Sequence, residues 1–134
     1  MTHLFAVPKA EMNAVYPLVS KAIDRAIEVA GDRYSEGELE RDLKSGHRQL
    51  WLAAEGGKYP EIKGVAVTRV YKSGYCQFEL CSGYDLDTWF DHIDGIEGWA
   101  AEQGYSMEVV GRLGWDRKLK AKGYKPVAMI WRKE

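Results

Sequence analysis

The chain has 134 residues, of which 46% are hydrophobic and 29% charged, and its formal net charge is −1. Such a composition excludes a disordered or low-complexity chain and is enough for one core without metals or disulfides. No apolar run approaches the roughly 20 residues that span a bilayer, and MTHLFAVPKAE lacks a secretory pattern, so the expectation is one cytosolic domain over residues 1–134 with no membrane partner.

HLFAV at 3–7 reads as a short strand stopped by Pro8. From about residue 10 to 30, Val15, Leu18, Val19, Ala22, Ile23, Ala26 and Ile27 recur at helical spacing, with Pro17 as an awkward interior residue. SEGELERDLKS at 35–45 opens with Ser35 and carries Glu38 three residues later, which predicts a capping box on a second helix. RQLWLAAE (48–55), IKGVAVTRVY (62–71) and YCQFELC (75–81) have strand composition and short separators, so they predict an antiparallel meander.

The clearest helical signal covers residues 85–103, where Leu86, Trp89, Phe90, Ile93, Ile96, Trp99 and Ala100 form one apolar stripe. Asp85 fits its N-cap and Gly104 its C-terminal stop. YSMEVV (105–110) predicts a strand, GWDRKLKAK (114–122) a short basic helix, and PVAMIWR (126–132) a last strand. The expected fold is therefore α/β, of the α+β kind, in the order β-α-α-β-β-β-α-β-α-β.

Charge is segregated. Residues 73–111 carry eight acidic side chains and no Lys or Arg, whereas residues 112–134 carry eight basic and two acidic ones. The simplest expectation is that the two blocks neutralise each other. Cys76 and Cys81, five apart in one regular strand, fall on opposite faces, and His3, His47 and His92 lack ligand spacing, so no metal site is expected. The five tryptophans cannot all be fully buried, and an exposed one would be a binding anchor.

This order, with Gly123-Tyr124 before the last strand, resembles the GNAT acetyltransferase superfamily over essentially the whole chain. The stretch IEGWAAEQGYSMEVVGRLGWDRKLKAKGY is also similar to small GNAT-like proteins of tailed bacteriophages. The resemblance implies a mixed, mostly antiparallel sheet whose fourth and fifth strands run parallel and splay. It further implies acetyl-CoA or another acyl-CoA between those strands, its pyrophosphate on a Gln/Arg-x-x-Gly-x-Gly/Ala loop at a helix N-terminus.

Laid on this loop, Leu80, Cys81, Ser82, Gly83, Tyr84, Asp85 and Leu86 are the implied cofactor-binding residues, but only Gly83 keeps the pattern. Asp85 and Asp87 place carboxylates where a pyrophosphate would lie, at about 3 kcal/mol per unit charge pair at 5 Å and an effective dielectric near 20. Leu119 stands where the family usually keeps a thiolate-protonating tyrosine. Glu79, between Phe78 and Leu80, matches a general-base position, although on an alternating strand it equally fits a solvent-facing carboxylate. Arg112 and Arg117, with Lys118, Lys120 and Lys122, lie on or beside the fourth helix, where they suit either cofactor phosphates or a solvated face.

Two functions follow. One is an acyl-CoA-dependent N-acyltransferase acting on a small-molecule or protein amine, with a degenerate pyrophosphate loop. The other is a non-catalytic protein of the same shape that binds a host or virion protein. The slightly negative net charge and the core periodicity of the aromatics argue against nucleic acid.

Overall fold

The computed structural model describes residues 2–30, 33–35, 37–56, 61–83, 86–111 and 113–133. The strands are β1 (Thr2–Ala6), β2 (Arg48–Glu55), β3 (Glu61–Val70), β4 (Tyr75–Ser82) and β5 (Ser106–Val109). The helices are α1 (Met12–Ala30), α2 (Glu38–Ser45), α3 (Leu86–Glu102) and α4 (Asp116–Ala121). One sheet is formed in the order β1-β2-β3-β4-β5, antiparallel except between β4 and β5. The parallel pair is joined by α3, the crossover that such neighbours require.

Each sheet face carries its own core. Val19, Ile23 and Ala26 of α1 and Leu39 and Leu43 of α2 pack on Leu50, Leu52, Val65, Val67 and Leu80. On the opposite face Trp89, Phe90, Ile93 and Ile96 of α3 pack on Trp51, Ala53, Ala66 and Phe78. The stripe expected on α3 is thus core. Gly95 allows its approach to β1, since a Cβ there would meet Leu4 Cδ2 at 3.2 Å.

Three local expectations are corrected. Helix α1 runs through Pro17, which lies near enough to its start to forfeit only the bond to the Asn13 carbonyl. Leu18 is 73% exposed, because the buried stripe passes through Val19, one residue further round the helix. The cap of α2 is Gly37, left-handed at φ 75°, rather than Ser35, whose hydroxyl bonds the Glu38 carboxylate while its carbonyl accepts the Glu38 amide.

The expected strand at 126–132 is also absent: residues 124–133 belong to no strand. Its apolar residues face solvent instead of a neighbouring strand, which is the physical reason the alternation there yields no ladder. Part of the charge neutralisation is as expected, with Lys122 on Asp94 at 2.9 Å, whereas Lys120 pairs within its own block, on Asp116 at 2.9 Å. Among the described residues no helix is long and apolar enough to cross a membrane.

Candidate active site

Strand β4 is irregular at one residue. Its pairing with β3 steps from Thr68↔Phe78 to Val67↔Leu80, so Glu79 has no partner on β3 and is the extra residue of a β-bulge. Bulges reverse the alternation of a strand. Phe78 accordingly lies in the α3 core and Leu80 in the α1/α2 core. The same step puts Cys76 and Cys81 on one face, correcting the opposite-face expectation, and neither forms a disulfide.

The bulge coincides with the end of the parallel pairing. The last register pair of β4 with β5 is Phe78↔Val109, followed by one bond from the Val110 amide to the Phe78 carbonyl at 2.9 Å. Strand β4 continues to Ser82 on β3 alone, so the described β5 residues leave the edge of 79–82 open. A cavity of about 460 Å³ lies at this parting, with Glu79, Leu80 and Cys81 on one side and Val110, Gly111 and Trp115 on the other.

Glu79 is the centre of a buried polar cluster. Its side chain is 5% exposed, and Arg48 Nε lies 3.2 Å from Oε2 and 3.3 Å from Oε1. Tyr34 donates its hydroxyl to Oε2 at 2.8 Å. Arg48 also pairs through Nη1 with Asp42 and with Glu38 at 3.4 Å, and its guanidinium lies over the Tyr34 ring. Burial alone would lower the Arg48 guanidinium, but the Glu79 charge raises it above its ordinary value. Burial, then the bond to Glu79, pushes the Tyr34 phenol well up, so it stays a donor.

A second wall of the cavity is built by Arg69, Tyr71 and Gln77. Arg69 stacks over the Tyr71 ring at 4.9 Å, Tyr71 donates to Gln77 Oε1 at 3.2 Å, and Gln77 donates to Glu108 at 2.7 Å.

The other expected site residues fare unevenly. Glu79 faces the cavity, so the solvent-facing alternative is overturned: its face of the sheet, opposite Phe78, is covered by α1 and α2. Leu80 is 4% exposed in the α1/α2 core, so an apolar side chain fills the position where the family pattern has a polar one. Ser82 donates to the Ala22 carbonyl of α1 at 2.7 Å, which ties the loop to that helix. Gly83, at φ 102°, presses on β3: a Cβ would meet the Lys63 carbonyl oxygen at 2.2 Å. Packing alone therefore requires this glycine.

Tyr84, Asp85 and Arg112 lie outside the described residues, and Leu86 is the first residue of α3. Arg117 is exposed on α4 and does not line the cavity, because α4 presents Leu119 to the core instead. Leu119 packs beside Gly111 and Trp115, so no tyrosine of α4 reaches the parting. Tyr124 is turned away and donates to Glu97 at 2.6 Å. Sequence reasoning missed Tyr34, Arg48, Arg69 and Tyr71. Only Arg48 left a trace: it shares a strand face with Leu50 and Leu52, an odd place for an arginine without a buried acid.

The fold has counterparts among solved structures. An aminoglycoside acetyltransferase, meta-AAC0020 from an uncultured soil metagenomic sample, solved with sisomicin, superposes with a TM-score of 0.61 at 12% identity, over 99% of this chain and 93% of its own. The fold is that of the GNAT acetyltransferases. AAC(6')-Iy, solved with the bisubstrate analog CoA-S-monomethyl-acetylneamine, gives a TM-score of 0.62 at 14% identity over 100% and 99% of the two chains. A chain from Clostridium acetobutylicum, described as an acetyltransferase and solved with acetyl-CoA, gives 0.57 at 13% identity over 100% and 96%. No family model matches the sequence, and no curated protein matches it.

Proposed function

We propose that this GNAT-fold protein is an acyl-CoA-dependent N-acyltransferase, with the thioester at the parting of β4 and β5 and the acceptor amine in the cavity beside Glu79. The observation that carries the reading is that the pairing of β4 with β5 ends at Phe78 and the next residue, Glu79, lines the gap with a buried carboxylate. The structural counterparts support it, since their ligands include acetyl-CoA, a CoA bisubstrate analog and an aminoglycoside.

The fit to acyl-CoA is good along the strand and poorer at the phosphates. The open edge of residues 79–82 offers backbone groups to an extended pantetheine arm, as an added strand would use them. The phosphate end would depend on the N-terminus of α3, where Asp85 and Asp87 oppose an anion, and on the basic residues near α4, Arg112 and Arg117 among them.

An alkyl amine is protonated at neutral pH and must lose a proton before it attacks. Glu79 accepts that proton, directly or through one water, while Arg48 and Tyr34 fix the orientation of the carboxylate. The nitrogen then attacks the thioester carbonyl, the C–N bond forms, and the C–S bond breaks. The departing thiolate takes its proton from solvent, because Leu119 supplies none; a thiol pKa near 8.5 makes such a leaving group tolerable.

The test is thiol release from acetyl-CoA against a panel of primary amines. Glu79→Gln is expected to lower turnover about 10²- to 10⁴-fold with CoA affinity unchanged. Equal turnover in parent and variant would refute the assigned role.

A further inference from the structure

The cavity beside Glu79 holds more positive charge than its own acids neutralise. Arg33, Arg48 and Arg69 line it, against Glu38 and Glu79. Arg48 takes both glutamates, Glu38 at 3.4 Å and Glu79 at 3.2 Å. Arg69 has the Tyr71 ring as its contact and no carboxylate within ion-pair distance among the described residues. The register makes this arrangement costly. Arg48 and Arg69 are direct partners across β2 and β3, and like charges placed opposite one another destabilise a sheet. A half-buried arginine beside another arginine, with no acid of its own, is a site that a ligand's anion completes.

The guanidinium is also held in place. Arg69 Cζ lies 4.9 Å from the centre of the Tyr71 ring, and that ring is fixed in turn by the Tyr71–Gln77–Glu108 chain of hydrogen bonds. Stacking occupies one face of the planar group and leaves its N–H edge for a carboxylate, which it can grip through two parallel bonds. Gln77 is the partner of Arg69 on β4, and Glu79 follows two residues later. Such diagonal neighbours stand about 7–8 Å apart in a sheet, and here both side chains line one cavity. An amine and a carboxylate separated by one or a few carbons bridge the space between them.

We propose that the acceptor is a free amino acid, with Arg69 binding its carboxylate while Glu79 takes the proton from its amine, so that the product is an N-acylamino acid. This rests on the acyltransferase reading above and narrows its acceptor. The same charges disfavour a polycationic amine, because both lining glutamates are already neutralised by Arg48. A single unpaired guanidinium matches the single charge of a carboxylate. Arg33, exposed on the same cavity, strengthens the positive field that draws the anion in.

The test measures thiol release from acetyl-CoA with the L-amino acids and with their α-amides, which keep the amine and side chain but lose the negative charge. The amide's amine is the less basic, so chemistry alone favours it at neutral pH. The parent is nevertheless expected to show a kcat/KM at least about tenfold higher for its best amino acid than for the matched amide. Arg69→Gln is expected to erase that preference by raising KM for the acid at least about tenfold, with the amide's kinetics unchanged. Its urea midpoint should equal or exceed the parent's, since the like-charge pair is gone; a much lower midpoint would make Arg69 structural and overturn the proposal. Calorimetric titration of acid and amide reads the same site without turnover. A preference for the acid that depends on Arg69, with no thiol released from any amine, would leave the amino-acid site standing and refute the acyltransferase reading. Acetylation of acids and amides at equal kcat/KM would do the reverse. Higher kcat/KM for the matched 1-aminoalkylphosphonates than for the acids would likewise overturn the proposal.

Discussion

Arg48 Nε lies 3.2 Å from Glu79 Oε2 although 31 residues separate the two, and each side chain keeps only 5% of its exposure. The pair is asymmetric. Arg48 has Asp42 and Glu38 as further partners, whereas Glu79 has Tyr34 and no second cation among the described residues. Arg48→Met therefore strands a buried carboxylate and is expected to cost about 3–5 kcal/mol. Glu79→Gln leaves Arg48 neutralised and should cost less, about 1–2 kcal/mol. Urea unfolding of the two variants checks the order, and a reversed order would contradict this reading of the cluster.

Gly83 separates a packing role from a ligand role. Alanine there combines a left-handed φ of 102° with a Cβ 2.2 Å from the Lys63 carbonyl oxygen, which no flexible side chain can relieve. Gly83→Ala is expected to lose at least about 2 kcal/mol of stability in the absence of any ligand. A variant that unfolds with the parent in denaturant, yet binds acyl-CoA more weakly, would assign the glycine to the cofactor alone.

What was legible in the sequence was local or periodic. The α3 stripe, the meander and the parallel β4–β5 pair all follow from spacing and connection length, and they account for most of the sheet. The site was less legible, because its geometry begins with a bulge. QFELC alternates as a regular strand would, but the offset between Thr68↔Phe78 and Val67↔Leu80 carries Leu80 over to the face of Glu79. Its partners arrive from the segment before α2 and from the start of β2, contacts fixed by tertiary register rather than by any motif. Residues 126–132 show the converse: the strand pattern is present, but no neighbour in its own sheet takes it up.

Trp89 tests the core on the α3 face. It is 1% exposed and meets the Phe78 ring edge-on at 6.3 Å between centroids. Trp89→Ala is expected to cost about 3–5 kcal/mol, a large share of a small domain's stability. Thermal unfolding within a degree or two of the parent would contradict its assignment as core.

His92 gives the fold a pH signature. Its ring lies 5.4 Å from that of Trp89, and burial pushes the imidazole below its ordinary value, with Asp91 opposing only in part. The folded state thus favours the neutral ring. Stability from this source is complete above about pH 6.5 and is lost as pH falls through the lower folded value. Between pH 7.5 and 5 the parent should lose more unfolding free energy than His92→Gln. Parallel pH profiles for the two proteins would show that this histidine does not contribute.

The central claim is that acyl-CoA occupies the parting of β4 and β5 beside Glu79, and calorimetric titration of acetyl-CoA into the parent chain tests it most directly. One saturable site per chain is expected, with an affinity near micromolar, about −8 kcal/mol. Absence of heat, together with an unchanged melting temperature at millimolar acetyl-CoA, would contradict the account.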